Sequence, residues 1–309
     1  LRVASKGDFV PGVRADLGTI NCQSVLGARY LVPEHTRAVI CEYVPKQTLA
    51  EMELSEDISA LGTMPRMIEH TQHHLAALRQ RGLGELVGLY HCDQQGPFDI
   101  AAMTRGHDIF IDMYTDADFV HKLMRLCTDT YIRVTKLCKD LVAAPYDRGH
   151  VVGFWMENGG VRICGDSDIL VSAAHYRQFI QPYQREAFDA FGGGWMHYCG
   201  GWKGTGRREG LHLHEAYAEI KSLHGLNWTT AGDWIGELVR LRRMGVVHLG
   251  GVPREDGEGL REYFRRVLSA YDRRWGLIFG GWVGSPDLSA DEFDLAMDTW
   301  HEVQDEVFG

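Results

Sequence analysis

The chain has 309 residues, of which 45% are hydrophobic and 24% charged, and its 32 Lys and Arg against 42 Asp and Glu give a net charge of −10. This composition excludes a disordered chain, a collagen and a coiled coil, and the acidic balance argues against a general nucleic-acid binder. No run approaches the roughly 18 consecutive apolar residues of a membrane helix. We therefore expect neither nucleic acid nor a membrane as a partner.

The cysteine pattern indicates the cellular setting. Seven cysteines form an odd set without the spacing of a disulfide framework, and no signal peptide is recognisable, so we predict a reducing, cytoplasmic environment. Because the chain begins with Leu1 and not with Met, we expect N-terminal residues to be missing. No linker, low-complexity tract or short repeat divides residues 1–309, which predicts a single domain.

Hydrophobic periodicity predicts alternating strands and helices along most of the chain. Residues 1–60 are weakly patterned, with a short β-type run at 38–43, and a helix follows over 65–81. The predicted strands are then 86–91, 151–156, 195–199, 222–226, 246–249 and 277–279. The predicted helices between and after them are 116–141, 173–191, 214–220, 234–243, 259–271 and 290–307.

The repeated strand–helix units predict the fold class. Their near-continuous apolar strands are typical of a parallel sheet covered on both faces, either an open doubly wound sheet or a closed barrel. No strand–GxGxxG–helix fingerprint appears, which disfavours a dinucleotide-binding sheet. We predict an α/β fold of the (β/α)8 type, a TIM barrel, with its active site at the C-terminal ends of the strands.

His197 and Cys199 are the sharpest chemical signal in the chain. Because they are two residues apart on a predicted strand, their side chains point to the same side. An imidazole and a thiolate suit Zn²⁺, and an open coordination position could activate an incoming thiol; a packed interior His and Cys is the alternative. A zinc site needs at least three protein ligands, and we take His224 as the third ligand. The candidates for that ligand are His224, Glu157, Asp166, Asp168 and His248.

Other residues near the predicted strand ends are candidates for catalysis and substrate binding. Asp166 and Asp168 alternate on one extended segment, where they could orient a substrate, transfer a proton or hold a metal. A turn or capping role is equally open, since Ser172 is predicted to cap the helix that follows. Polar residues expected to contact the substrate are Gln95, Glu157 and Arg162. Aromatic residues that could wall a large flat ligand, or pack in the core, are Tyr198, Trp202, Trp228 and Trp282.

Several segments resemble the uroporphyrinogen decarboxylase superfamily. They are Cys92-Asp-Gln-Gln-Gly-Pro-Phe-Asp-Ile-Ala101, Gly160-Val-Arg-Ile-Cys-Gly-Asp-Ser-Asp-Ile-Leu-Val-Ser172, Tyr176 to Tyr183, and Gly194-Trp-Met-His-Tyr-Cys-Gly200. The resemblance implies a (β/α)8 barrel, often dimeric. One branch of the superfamily decarboxylates porphyrinogen acetates without a cofactor. The other transfers methyl groups between corrinoid proteins and thiols, using zinc held by a His-x-Cys pair and a later Cys.

The chain departs from both branches. The decarboxylases carry an Arg-Gln-Ala-Gly-Arg-Tyr stretch, whereas the nearest string here is Gly27-Ala28-Arg29-Tyr30, and Asp93 is a possible stand-in for their catalytic Asp. The methyltransferase pair matches as His197 and Cys199, but no Cys follows Cys199.

We weigh three functions. The first is a methyltransferase that moves a methyl group between a methyl-corrinoid protein and a zinc-activated thiol. The second is a decarboxylase of a porphyrinogen-like acid, with Asp93 or Asp166 stabilising the intermediate and Arg29 and Arg162 on carboxylates. The third is a non-catalytic barrel that binds a corrinoid or tetrapyrrole. We expect zinc as cofactor, a corrinoid carried by a partner protein, a small-molecule thiol or acid as substrate, and a homodimer.

Overall fold

The structure, a computed structural model, describes residues 10–151, 153–200, 210–228, 233–271, 275–278 and 289–309. The strands in these ranges are β1 Gly12–Val13, β2 Arg29–Leu31, β3 Val39–Glu42, β4 Gly88–Leu89, β5 Gly149–Val151, β6 Phe154–Met156, β7 Val161–Cys164, β8 Gly194–Tyr198, β9 Leu223–Trp228, β10 Val247–Leu249 and β11 Leu277–Ile278. The α-helices are α1 Asn21–Val25, α2 Lys46–Glu51, α3 Met64–Gln80, α4 Pro97–Arg105, α5 Asp108–Thr115, α6 Ala117–Leu141, α7 Ala173–His175, α8 Gln181–Asp189, α9 His214–Ala218, α10 Trp234–Arg243, α11 Leu260–Ser269 and α12 Ala290–Phe308.

A five-stranded parallel sheet in the order β11-β10-β9-β8-β7 forms the frame of the C-terminal half. Strands that are neighbours in the sheet are also neighbours in sequence, and helices connect them, as in repeated βα units. The register pairs Cys164 with His197, and His197 with Asn227. These three residues therefore lie side by side near the C-terminal edge of the sheet.

The N-terminal half contributes a second parallel pair, β1 with β4. After β4 the chain runs beside β7, where the N–H of Gly96 donates to the carbonyl of Cys164 at 2.9 Å. The predicted α/β fold with a parallel sheet is thus confirmed. In the described ranges the parallel strands form these two groups, so closure into an eight-stranded barrel stays a prediction.

The longest of the described helices, α6, contributes many residues to the main hydrophobic core, and it confirms the helix predicted over 116–141. Its N-cap is Asp116, whose carboxylate accepts the N–H of Phe119 at 3.2 Å. Its apolar residues recur at helical spacing, and Val120, Leu123 and Cys127 are all fully buried. Burying a large apolar side chain contributes roughly 1.5–3 kcal/mol, so packing contributes more to this helix than its cap does.

The apolar run at 151–156 is a hairpin and not the predicted strand of the parallel sheet. β5 and β6 pair antiparallel, and Gly153 in the turn has a φ of 91°, which glycine adopts without steric cost. The sheet strand is the next apolar run, β7. Glu157 therefore precedes a sheet strand, and the residues just after it bond to the N-terminal side of β8, where the N–H of Gly160 donates to the carbonyl of Gly193 at 2.9 Å.

The helix predicted over 173–191 is present but has an interruption. A π-helical turn at Tyr176–Ile180 separates α7 from α8, and Pro182 follows it in the first turn of α8. Proline cannot donate a backbone hydrogen bond, which accounts for a widened turn at this point. The predicted N-cap is confirmed, because the Ser172 hydroxyl accepts the N–H of His175 at 3.2 Å. Every helix among the described residues is too short or too polar to span a bilayer.

Candidate metal centre

His197 and Cys199 lie together at the C-terminal end of β8, as the two-residue spacing predicts. Nε2 of His197 is 3.2 Å from Sγ of Cys199. Asp166, which follows β7 on the neighbouring strand, accepts the backbone N–H of Cys199 through Oδ1 at 2.6 Å. One ligand atom from each of these three residues lies within 4.8 Å of the other two. Asp166, one of the candidates weighed for the third ligand, is therefore the residue that joins the pair.

A buried carboxylate on α4 fixes the turn that carries Asp166. The two oxygens of Asp99 accept the N–H groups of Asp166 at 2.9 Å and of Ser167 at 2.6 Å. The N–H of Gly165 donates to the carbonyl of His197 at 2.8 Å, which ties the same turn to β8. Burial and the nearby Asp166 charge raise the pKa of Asp99 to about 7. Sequence reasoning missed Asp99, because nothing in its local pattern shows which loop it reaches.

Asn227 on β9 determines the tautomer of His197. Its Nδ2 donates to the carbonyl of Leu249 at 2.5 Å, so its Oδ1 faces Nδ1 of His197, also at 2.5 Å. An amide oxygen only accepts hydrogen bonds, so Nδ1 of His197 must carry the proton. The unprotonated Nε2 then faces Cys199. Sequence reasoning did not identify Asn227, although its place at the end of a predicted strand is the signal that could have found it.

The protonation states follow from burial and charge. Burial and the Asp166 carboxylate raise the pKa of the Cys199 thiol to about 11. Burial and the Arg162 guanidinium lower the pKa of His197. At neutral pH the chain alone therefore presents a thiol and a neutral imidazole, and a cation bound between them would favour the thiolate.

The donor set fits a zinc ion. One imidazole nitrogen, one sulfur and one carboxylate oxygen are the ligand types that Zn²⁺ takes, and three protein ligands leave one position open, as in catalytic zinc sites. A hydrogen bond from a ligand histidine to a fixed acceptor, as Asn227 provides here, is typical of such sites.

Asp93, a predicted catalytic residue, is held between two arginines. Its Oδ2 accepts from Arg14 at 3.0 Å and its Oδ1 from Arg162 at 2.6 Å. The guanidinium of Arg162 also lies 5.4 Å from the ring centroid of Trp195 on β8. Arg14 also lies 3.8 Å from Oδ2 of Asp16, so the two arginines are shared between two carboxylates beside the sheet face that carries His197. Sequence reasoning missed Arg14, since the strand before it is only two residues long.

Gln95 lies on the same segment as Asp93. It is only 9% exposed, and its Oε1 has no hydrogen-bond partner among the described residues. A buried acceptor without a partner is a candidate for contact with a ligand or a water molecule. The predicted substrate contact of Gln95 therefore stays a prediction.

Three predicted site residues are not members of the cluster. Asp168 is fully buried, and its Oδ2 accepts from Gln184 at 2.7 Å. His224, the predicted third ligand, is at the start of β9, where its Nδ1 is 3.0 Å from the carbonyl of Asn158. Glu157 is bonded to its own hairpin. Asp168 begins a 3₁₀ turn over Asp168–Leu170, so the extended segment predicted to carry both Asp166 and Asp168 ends before it. His224 and Glu157 lie toward the N-terminal side of the sheet, because β9 and the hairpin have other boundaries than those predicted.

The predicted aromatic wall is only partly described. Tyr198 is fully buried on the face of β8 opposite His197, and Trp228 is buried in a stack on Trp234 with ring centroids 5.6 Å apart. Both rings therefore pack in the core, which was the alternative weighed for them. Trp202 and Trp282 lie outside the described residues.

Comparison with known proteins identifies a fold relative. No family model and no curated protein matches the chain. Among solved structures, the chain is similar to a methyltransferase from Methanosarcina mazei, with 12% sequence identity, a TM-score of 0.67, and coverage of 95% of this chain and 80% of that one. At this identity the likeness shows a shared fold.

Proposed function

We propose that this protein is a zinc-dependent methyltransferase that moves a methyl group between a methyl-corrinoid protein and a thiol. The observation that carries the proposal is the convergence of Asp166, His197 and Cys199, with ligand atoms within 4.8 Å of one another. The fold shared with a methyltransferase supports the same reading. We also propose that the two groups of parallel strands belong to one closed (β/α)8 barrel.

The proposed chemistry assigns a task to each residue of the cluster. His197 would hold zinc through Nε2, Cys199 through Sγ and Asp166 through a carboxylate oxygen. When bound, zinc supplies a Lewis acid that favours the thiolate form of an incoming thiol at neutral pH. Asn227 keeps the His197 lone pair aimed at the cluster. The overall reaction forms a carbon–sulfur bond, breaks a cobalt–carbon bond whose electron pair stays on cobalt, and releases the thiol proton.

Arg14 and Arg162 would attract the acceptor. The side chains of both arginines are about one-sixth exposed, at 16% and 15%, so their guanidinium groups would be open to an incoming acidic group beside Asp93. Partly buried guanidinium groups bind carboxylates and other oxyanions strongly. The proposed acceptor is therefore a small thiol, and an acidic group on it would be favoured.

The same arginines support a second candidate, a decarboxylase of a porphyrinogen-like acid. In that reaction Arg14 and Arg162 would bind substrate carboxylates and Asp93 would stabilise positive charge. Anaerobic incubation with uroporphyrinogen, followed by chromatography of the products, tests this candidate. Formation of a decarboxylated porphyrinogen by metal-free protein would favour it over the methyltransferase.

Metal analysis of the purified protein tests the first candidate directly. We expect about one zinc per chain in the wild type, and most of it lost in Cys199→Ser and His197→Gln, because a site with two ligands binds zinc weakly. Cys41→Ser is the matched control. Cys41 is an exposed free cysteine on β3, and β3 pairs with β2 in a two-stranded sheet that contains none of the three cluster residues. Wild-type protein without zinc, or equal zinc in Cys199→Ser and Cys41→Ser, would contradict the proposal.

An activity assay separates methyl transfer from simple metal binding. Methylcobalamin serves as donor in place of the corrinoid protein, and 3-mercaptopropionate as acceptor, with loss of the methylcobalamin absorbance as the signal. We expect turnover by the zinc-loaded wild type and none by the chelated protein or by Cys199→Ser. Equal turnover in the presence and absence of a chelator would exclude a role for the metal.

A further inference from the structure

We infer that a buried Tyr198–His214–Glu237 chain behind β8 positions the two ligands that this strand contributes. The inference rests on the proposed metal centre and adds positioning residues to it. It starts from the alternation of side chains along a strand: His197 and Cys199 face the cluster, so the residue between them faces the opposite side. That residue, Tyr198, is fully buried.

The chain of hydrogen bonds has a defined direction. The Tyr198 hydroxyl is 2.6 Å from Nε2 of His214, and Nδ1 of His214 is bonded to the carboxylate of Glu237. An ionised carboxylate only accepts, so Nδ1 carries the proton of the neutral imidazole and Nε2 accepts from the hydroxyl. Burial lowers the pKa of His214, which is consistent with the neutral ring.

Glu237, the last residue in this series of hydrogen bonds, is held by an ion pair with Arg240. Nη2 and Nε of Arg240 donate to the two oxygens of Glu237 at 2.7 and 3.0 Å. Burial alone would raise the pKa of Glu237, but the hydrogen bonds from His214 and Arg240 lower it to about 2. Glu237 therefore stays ionised at neutral pH. The hydrogen bonds from Tyr198 through His214 to Glu237 therefore link the end of β8 to the first residue of α9 and to α10.

The need for such an anchor follows from where β8 ends. The last pair of its ladder with β9 is Tyr198 with Trp228, so Cys199 lies one residue beyond the sheet. The backbone N–H of Cys199 goes to Asp166, which is itself a proposed ligand. The hydrogen bond of Tyr198 to His214, on the opposite face of β8, therefore holds the Cys199 backbone in register with His197.

Gly210 packs against the same tyrosine ring. Its φ is 82°, and a Cβ at this position would lie 2.4 Å from Cε2 of Tyr198. The backbone just before α9 therefore lies directly against the Tyr198 ring, and glycine is needed for this close approach. The hydroxyl bond and the ring contact are separate, so a Phe at position 198 removes the first and keeps the second.

Cobalt binding tests the inference, because Co²⁺ replaces zinc and reports thiolate ligation by its charge-transfer absorption. In Tyr198→Phe we expect Co²⁺ to bind about tenfold more weakly, with a weaker sulfur-to-cobalt band, as when an outer partner of a ligand is lost. Tyr263→Phe is the control: its buried hydroxyl donates to the carbonyl of Val252 in a separate core cluster. Glu237→Gln should give a smaller loss in the same direction.

A second measurement needs no metal. Hydrogen exchange of the Cys199 amide should be faster in Tyr198→Phe than in the wild type and unchanged in Tyr263→Phe. Wild-type affinity, spectrum and exchange in Tyr198→Phe would overturn the inference. If the wild type binds no cobalt, the proposed metal function fails, and exchange at Cys199 alone decides whether Tyr198 positions this residue.

Discussion

The environment of His197 shows how single hydrogen bonds set up the cluster. The ring is held on one side by the Asn227 oxygen, and the nitrogen on the other side faces Sγ of Cys199. Asn227 is in turn fixed by its bond to the Leu249 carbonyl on the next strand. The orientation of the imidazole is thus set by three neighbouring parallel strands before any cation arrives.

Replacing Asn227 tests this at the residue scale. Asn227→Ala removes the acceptor for Nδ1, so the ring can rotate or change tautomer, and we expect Co²⁺ or Zn²⁺ affinity to fall about 10- to 100-fold. Asn227→Asp keeps an acceptor facing Nδ1 and should retain more affinity than the alanine variant. Competition with a chromogenic chelator measures both.

The matched control is Asn158→Ala, because the Asn158 backbone carbonyl, which the substitution keeps, bonds to His224 near the start of β9, whereas Asn227 lies near its end. Equal affinities of Asn227→Ala and Asn158→Ala would show that the His197 orientation is set by something other than this amide.

Only part of the site could be predicted from sequence, for a physical reason. The pair His197 and Cys199 was predictable because a strand places alternate residues on one face, a rule that needs no tertiary information. The third member was not, since Asp166 and His224 both lie near a strand, and only the register between strands determines their depth. Asn227 and Asp99 act through such cross-strand contacts.

At the scale of elements, helices could be predicted from sequence more completely than strands, because strand pairing depends on tertiary contacts. The boundaries of α6 and α10 follow from local signals, a capping aspartate and an amphipathic repeat, and the predictions for both are confirmed. The run 151–156 has the apolar content of a sheet strand, but Gly153 reverses the chain and makes β5 and β6 a hairpin. An apolar run indicates extended structure, whereas its partner is determined by tertiary packing.

The start of α6 permits a test of what a cap contributes. Asp116→Ala removes the oxygen that accepts the Phe119 N–H, and we expect the free energy of unfolding in urea to fall by about 1 kcal/mol. Asp116→Asn keeps a capping oxygen and loses the charge. Its loss should be smaller, because the ion pair of Asp116 with Lys46 at 3.0 Å is partly exposed and contributes little. Equal losses in the two variants would assign the effect to the ion pair.

At the scale of the whole molecule, several histidines are buried in neutral form. Burial lowers the pKa of His91 to about 4, with the nearby Lys139 charge acting in the same direction. Burial also lowers the pKa of His248 to about 4, where its ring contacts that of Trp228 with centroids 4.2 Å apart. Both side chains are at least nine-tenths buried. Protonating either histidine therefore destabilises the folded state relative to the unfolded chain.

These two histidines predict a loss of stability in mild acid. Between about pH 6.5 and 4 the unfolded chain binds protons that the folded chain excludes, so the free energy of unfolding falls as the pH falls. Each histidine contributes roughly 2 kcal/mol of this loss by pH 5. Asp99 and Asp168 act in the opposite direction, since burial raises the pKa of both carboxyls, that of Asp99 to about 7, and the folded state takes up these protons first.

Comparing variants isolates the histidine contribution from that of the two buried aspartates. His248→Phe keeps a ring against Trp228 and removes the titrating group, so its loss of stability from pH 7.5 to pH 5 should be about 2 kcal/mol smaller than that of the wild type. The exposed His73→Gln should follow the wild type. Denaturant unfolding at the two pH values measures the difference. Parallel behaviour of His248→Phe and the wild type would mean that His248 takes up its proton as easily in the folded protein as in the unfolded chain.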